Sequence, residues 1–166
     1  MGQLQNKVNW HMRTITVAHD NVGGVHRVVL INVNNVETIV THGINADLVV
    51  NRIQEMIELP VEANDTFVFD ENCLASEAGK CWDVKIQGFV PTSVDENRAI
   101  IDELVSNQWL ALLNDNNGSY RLAGDQEVPL TFTYNYSTGQ LAGRNGFSME
   151  LSARLSHRSY FMLEQF

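Results

Sequence analysis

The last third of the chain alternates apolar and polar residues with a period of two, which is the pattern of a half-buried β-strand. The pattern is clearest at residues 128–136 and 146–163, where aromatic and β-branched residues alternate with Thr and Ser. The residues between these stretches include the Gly and Asn that turns favour. This part of the chain predicts paired strands and contains no group of residues typical of an active site, so the function is sought first in assembly.

Several earlier segments also have the composition of strands. β-Branched or alternating runs predict strands at residues 25–33, 66–69, 81–90 and 109–113. Residues 36–40 fit either a short strand or a turn. Residues 46–64 fit either a strand or a helix, with a slight preference for a strand, because Val49-Val50 and Pro60 suit the end of one.

One helix is predicted from its start signal and its apolar spacing. Ser93 and Glu96 have the spacing of a capping box, in which each side chain bonds the backbone amide of the other. The apolar stripe consists of Ala99, Ile100, Ile101, Leu104 and Val105. A helix of about a dozen residues that ends near Asn107 should lie across a sheet. The residues thus predict a mainly β fold with one packed α-helix, of the α+β class.

The chain of 166 residues is long enough for one domain with its own core. The first dozen residues are poorly patterned, so we predict an N-terminal arm at residues 1–20 and a single β-rich domain at residues 21–166. No apolar stretch reaches the roughly 20 residues that span a bilayer, and the start of the chain lacks the apolar core of a signal peptide. We therefore expect no membrane partner and synthesis in a cytoplasm.

The net charge of −9 is concentrated in the middle of the chain. Of the 20 acidic residues, 13 lie between Asp47 and Glu103. No Lys- or Arg-rich patch is visible, so affinity for nucleic acid through counterion release is not expected. The acidic segment fits either a solvated face that keeps the protein soluble or a surface that repels a polyanion.

Candidate chemical groups are sparse. Cys73 and Cys81 are too few for a tetrahedral zinc site, and none of the five histidines is at ligand spacing. The His19-Asp20 dipeptide lacks a plausible nucleophile, and residues 115–118 fit a hairpin turn better than a calcium loop. We therefore predict a protein that is not an enzyme, with no catalytic residue, metal, cofactor or small-molecule substrate.

The aromatic residues permit two interpretations. Eight of them are prominent: Trp10, Trp82, Trp109, Tyr120, Tyr134, Tyr136, Tyr160 and Phe161. They could form a platform for a sugar, but their positions in predicted strands favour a core or a subunit interface. Tyr134, Tyr136, Tyr160 and Phe161 are the candidate interface residues.

Three segments together resemble a known family. They are residues 22–36, which begin with Val22-Gly23-Gly24; residues 82–91 with the capped helix and residues 112–124; and Arg144-Asn145-Gly146-Phe147 with the closing Ser159-Tyr160-Phe161. These segments resemble phage tail structural proteins of Bacteroides-type prophages. Their order of strands, one helix and then hairpins is similar to the tail-tube fold shared by siphophage and myophage tubes and the inner tube of type VI secretion.

The resemblance implies an antiparallel β-sandwich or barrel flanked by the helix. It implies that copies join into a six-fold ring through sheet extension, and that rings stack through residues 1–20 and the loop at residues 137–143. The protein would then be a virion component made in a bacterial host, with itself and other tail proteins as partners.

In such a ring the acidic middle segment would line a lumen through which DNA passes without specific binding. The candidate lumen residues are Asp70, Glu71, Glu77 and Asp83. A tail-completion or distal-tail ring is a close variant of this hypothesis. The alternative from another class is a carbohydrate-binding or adhesin-like β-sandwich.

Overall fold

The computed structural model describes residues 23–61, 67–91, 94–138 and 145–162. The predicted arm at residues 1–20, and most of the predicted stacking loop at residues 137–143, lie outside these ranges. Ser93 also lies outside them, so the predicted capping box stays a prediction.

The described part of the chain consists mainly of β-strands and contains one α-helix, α1, at Val94–Ser106. The strands are β1 (Val25–Asn32), β2 (Val36–His42), β3 (Asn45–Val50), β4 (Ile57–Leu59), β5 (Val68–Ser76), β6 (Gly79–Val90), β7 (Gln108–Asp115), β8 (Tyr120–Ala123), β9 (Leu130–Ser137), β10 (Gly146–Leu155) and β11 (Tyr160–Met162). Short 3₁₀ turns occupy Val33–Asn35 and Ile53–Glu55. The predicted class, mainly β with one packed helix, is confirmed.

All eleven strands belong to one sheet. Its main path runs β2-β3-β11-β8-β7-β9-β10-β6-β5, while β1 pairs with both β7 and β4. Every pair is antiparallel except β11 with β3, which is parallel, so the sheet is mixed rather than purely antiparallel. The ladders of the described strands do not close into a barrel.

Strands β1 and β7 form the centre of the fold because both of their faces are buried. Val28 and Leu30 of β1 point into one hydrophobic cluster, whereas Val29 and Ile31 point into a second cluster on the other face. β7 alternates in the same way between the two clusters. This explains why the sequences of both strands are nearly continuous apolar runs rather than alternating ones.

The larger cluster lies between the central pair and strands β6, β9 and β10. Its largest fully buried side chains include Trp109, Phe67 and Phe147. The helix joins this cluster through Ile101 and Leu104, and the indole Nε1 of Trp109 donates a hydrogen bond of 2.8 Å to the carbonyl of Leu104. The helix is thereby fixed to the start of β7.

The helix buries a narrower stripe than the sequence predicts. Ile101 and Leu104 are buried, whereas Ala99, Ile100 and Val105 are exposed. A helix face that contacts a sheet spans residues three or four apart, and Ile100 and Val105 lie beside that face rather than on it. The prediction that all five residues pack on the sheet is therefore wrong for three of them.

The two ambiguous segments form strands. Residues 36–40 belong to β2, which continues to His42 and turns at Gly43, where φ is +68°. The described part of residues 46–64 consists of β3, a 3₁₀ turn and β4, so the slight preference for strand is confirmed there. At the other end, the predicted run at residues 146–163 is two strands, β10 and β11, separated by residues 156–159.

A narrow seam separates β1 from β5. Among the described residues an isolated bridge crosses it, in which the amides of Val25 and Phe67 each donate to the carbonyl of the other, at 2.8 and 3.2 Å. The Phe67 ring then packs directly on Gly88, where a Cβ atom would come within 2.4 Å of ring carbons. Glycine at position 88 is thus required by the close approach of an aromatic ring.

Candidate assembly surfaces

The hairpin formed by β5 and β6 projects beyond the rest of the sheet. The pairing of β10 with β6 ends at Leu155 and Trp82, so within the described ranges residues 74–81 pair only with each other. Glu77 and Ala78 form the turn, as predicted from the sequence, and Leu74 is 43% exposed. A two-stranded hairpin alone is marginally stable in water, so this extension is suited to contact with another surface.

The same hairpin supplies a long free edge to the sheet. Within the described residues β5 pairs only with β6, and β2, at the other end of the path, pairs only with β3. The three-residue β4 is a further, shorter edge. Free edges present unpaired backbone donors and acceptors, and neither β2 nor β5 contains a proline that would block pairing with another strand.

The four predicted lumen acids lie on three different surfaces. Asp70 and Asp83 share the outer face of the hairpin, because each alternates with buried or inward residues of its own strand. Glu71 points to the opposite face, and Glu77 lies at the hairpin tip. The structure does not bring these acids together as one acidic patch. That they line a lumen stays a prediction.

Two of these acids are neutralised by arginines. Arg154 donates to both carboxylate oxygens of Asp83, at 2.6 and 3.1 Å, and this hydrogen bonding lowers the pKa of Asp83 below its ordinary value. Glu71 accepts from the Ser159 amide at 2.7 Å and lies 3.4 Å from Arg158. Within the described residues Asp70 and Glu77 have no such partner.

The outer side of β5, β6, β9 and β10, called the polar face below, is mainly polar, although Val68 and Phe89 also lie on it. Its polar members are Thr131, Thr133 and Asn135 of β9; Ser148, Glu150, Ser152 and Arg154 of β10; Asp83, Lys85 and Gln87 of β6; and Asp70 and Asn72 of β5. Glu150 accepts from Gln87 at 2.6 Å and lies 3.8 Å from Lys85. Three acids and two cations thus leave this polar face with only a small net charge.

The candidate interface tyrosines of β9 already contact another aromatic side chain of the same chain. Tyr134 meets Phe147 edge to face, with ring centroids 5.4 Å apart, and Tyr136 lies 4.9 Å from the same ring. Tyr134 is nevertheless 44% exposed, beside a depression of about 540 Å³ that Thr133, Asn135 and Phe89 also line. These tyrosines extend the core to the border of the sheet.

The other two interface candidates line a groove between the β5–β6 hairpin and strands β8 and β11. This groove of about 590 Å³, called the Arg121 groove below, is lined mainly by Trp82, Arg121, Arg158, Ser159, Tyr160 and Phe161. The Arg121 guanidinium lies over the Phe161 ring at 4.5 Å and over the Phe69 ring at 5.8 Å. Sequence reasoning missed Arg121, because nothing in its local pattern indicates what faces it.

A histidine and a carboxylate fix one end of this groove. The Nε2 atom of His157 lies 2.5 Å from Asp125, its Nδ1 atom lies 2.8 Å from the carbonyl of Arg158, and its ring stacks on Tyr160. Burial raises the pKa of Asp125, but hydrogen bonds from His157 and from two backbone amides outweigh it, so the pKa lies below its ordinary value. Burial, and then the Asp125 charge, raise the pKa of Tyr160.

Groups typical of metal or redox chemistry are not assembled in the described ranges. They contain no cluster of three or more His, Cys, Asp or Glu side chains able to hold a metal ion. Cys73 and Cys81 are free thiols, and their register across the hairpin is offset by one residue, so they point to opposite faces. Asp115 accepts from the amides of Asn117 and Ser119, which makes residues 115–118 the predicted turn.

Comparison with known proteins does not add to this description. No family model, no curated protein and no solved structure matches the chain. None of the described helices is long and apolar enough to cross a bilayer. The geometry of the surfaces is therefore the basis on which a function is argued.

Proposed function

We propose that the protein is a structural component of a phage tail, whose copies assemble into a ring or tube through which DNA passes. The tail tube is the first candidate, and a tail-completion or distal-tail ring is a close variant. The observation that carries this proposal is the sheet whose two outermost strands have a long free edge among the described residues, one of them in a projecting hairpin. A sheet of this kind is hazardous in a monomer and useful in a closed assembly.

Sheet extension between β5 of one copy and β2 of the next would satisfy both edges. The strands have nine and seven residues, so each could pair along most of its length. Because the two edges differ, their contact is heterologous, and such contacts generate a ring if the rotation closes. A six-fold ring is the expectation that follows from the resemblance to tail-tube proteins.

The polar face supports passage of DNA without binding. Hydroxyl and amide side chains dominate it, and its arginine and its lysine already have acidic partners. Cations paired in this way have little tendency to displace counterions from a duplex. A lumen lined by this face in a chain of net charge −9 would let DNA slide. The partners are then other copies and other tail proteins, and the location is the virion.

A carbohydrate-binding or adhesin-like module is the second candidate. The depression of about 540 Å³ favours it, because Phe89 lies on the same face of the sheet as Thr133 and Asn135, and an aromatic ring beside a hydroxyl and an amide suits a sugar. A glycan array would give a clear hit that Phe89→Ala abolishes and that Tyr120→Ala, outside this depression, leaves intact.

The assembly proposal is tested on the purified full chain. Sedimentation and negative-stain electron microscopy over a wide range of concentrations should show rings or short tubes built from one kind of subunit. A protein that stays monomeric at high concentration and forms no rings would contradict the proposal.

A further inference from the structure

Arg121 is a half-buried cation that has no acidic partner among the described residues. Its guanidinium lies between the rings of Phe161 and Phe69, and within the described residues it makes no hydrogen bond or ion pair. Stacking on two rings holds the planar group in one orientation while its N–H donors stay available. A guanidinium presented in this way is suited to bind a carboxylate with two parallel hydrogen bonds.

The other charged side chains that line the groove already have partners, so the Arg121 guanidinium can bind a ligand there. Glu71 lines the same groove, but the Ser159 amide and Arg158 already hold its carboxylate. The Ser159 hydroxyl is buried at the groove and has no hydrogen-bond partner within the described residues. Buried hydroxyl groups normally have a partner, so the groove offers a second polar atom to a ligand.

Glu77 is the acidic residue that would bind Arg121 of another copy. It lies in the turn of the β5–β6 hairpin, is exposed and has no partner among the described residues. The turn lies about 13 Å beyond the last row of β6 that pairs with β10, at about 3.3 Å per residue. Its neighbours Ser76, Ala78 and Gly79 are small, so the tip is narrow enough to enter a groove.

We infer that the Arg121 groove of one copy binds the hairpin tip of the next copy, with the Glu77 carboxylate on the Arg121 guanidinium. The inference rests on the proposed function and specifies one of its contacts. The walls formed by Trp82 and Phe161 contact the small residues beside Glu77, and Ile44, which is 69% exposed, covers the rim. Tip and groove are different surfaces, so the contact is heterologous and continues from copy to copy.

The test is an exchange of the two charges in the full-length chain. Glu77→Arg and Arg121→Glu should each weaken assembly by at least about tenfold in concentration, because each places like charges together in a desolvated contact. The double variant E77R/R121E should assemble like the unmodified protein. An equimolar mixture of the two single variants should also assemble, because every contact in an alternating ring then joins opposite charges.

Controls separate this contact from folding and from general charge effects. Asp102→Arg and Arg98→Glu make the same charge changes at exposed positions of the helix, and both should assemble normally. Thermal melting of each variant checks the fold, and Glu77→Arg lies in an exposed turn where misfolding is not expected. Assembly of Glu77→Arg at the unmodified concentration overturns the inference, as does a double variant that fails to recover although it is folded.

The outcomes also distinguish this inference from the proposed function. If the unmodified protein forms rings and Glu77→Arg forms them equally well, the charge contact is wrong while the ring proposal stands. If the unmodified protein forms no assembly, both fail. If the unmodified protein forms no assembly and a glycan array gives a hit, the carbohydrate-binding alternative is favoured.

Discussion

The ring of Phe67 lies on the backbone of Gly88, so close that a Cβ atom there would meet the ring carbons at 2.4 Å. Phe67 is fully buried and is also the residue that bridges to Val25 across the seam of the sheet. The glycine at position 88 of β6 therefore leaves room for the ring of Phe67, which directly precedes β5 and bridges to β1.

Replacing Gly88 with Ala should destabilise the fold by overpacking. We expect Gly88→Ala to lower the free energy of unfolding by about 1–3 kcal/mol, measured by urea denaturation. Gly23→Ala is the control, since a Cβ at Gly23 meets nothing within 4 Å, and it should change stability by less than about 0.5 kcal/mol. Equal stability of the two variants would show that the Phe67 ring can move aside.

The pair of Asp125 and His157 should make part of the stability dependent on acid. Because the folded pKa of Asp125 lies below its unfolded value of about 3.9, its ionised form favours the folded state. This contribution is fully present above the unfolded pKa and is lost as pH falls through the folded pKa. Asp125→Asn should therefore be less stable at neutral pH and lose less stability below about pH 4.

The control for this pH profile is Asp70→Asn, since Asp70 is exposed and has no ion pair among the described residues. Its acid limb should follow that of the unmodified chain in denaturant titrations at several pH values. An Asp125→Asn profile parallel to the unmodified one at every pH would count against the role given to this carboxylate.

Charges placed on the β5 edge should prevent sheet extension. Val68 and Leu74 are 49% and 43% exposed on that strand, and inward-pointing or edge lysines are a common means by which proteins block edge pairing. The V68K/L74K variant should stay monomeric at concentrations where the unmodified chain forms rings, by sedimentation velocity. Its melting temperature should stay close to that of the unmodified protein.

A matched substitution checks that position rather than charge is responsible. Ile53 is 72% exposed in a 3₁₀ turn outside the sheet edges, so Ile53→Lys should leave assembly unchanged. Rings from V68K/L74K at the normal concentration would mean that the β5 edge is not an interface.

The polar face should bind DNA when lysines are introduced on it. Assembled rings carrying Asp70→Lys, Thr131→Lys and Thr133→Lys should retain duplex DNA in a nuclease-protected form, with an affinity that falls steeply with salt. The control variant I53K/D102K/V105K changes one position in a 3₁₀ turn and two in the helix, has the same change in net charge, and any DNA that it binds should be digested. Protected DNA in the control variant but not in the polar-face variant would place the lumen elsewhere.

The sequence predicted the local elements well because periodicity is a local property. The alternation of Trp82, Val84 and Ile86 with charged or polar residues identified β6 and its buried face, and the apolar spacing of Ile101 and Leu104 identified the helix. The turns at Glu77 and at Asp115 followed from their Gly and Asn residues in the same way.

Pairing between distant strands could not be predicted from the same patterns. The parallel contact of β11 with β3 joins Phe161 to Asn45, and no local signal in either segment specifies the other. The candidate site shows the same limit. Counting acids in the middle segment did not indicate that Asp70 and Glu71 point to opposite faces, or that arginines from β10 and the following turn would neutralise Asp83 and Glu71.

The central pairing of β1 with β7 has a consequence for synthesis of the chain. Val29 and Leu112 pair directly, yet they are more than 80 residues apart, so a ribosome working at about 5–20 residues per second completes β7 about 4–17 s after β1. Within the described residues, β4 is the only strand made before β7 that pairs with β1. The aliphatic run of β1 must therefore remain soluble on the nascent chain for seconds, which makes the yield of folded protein sensitive to the rate of translation.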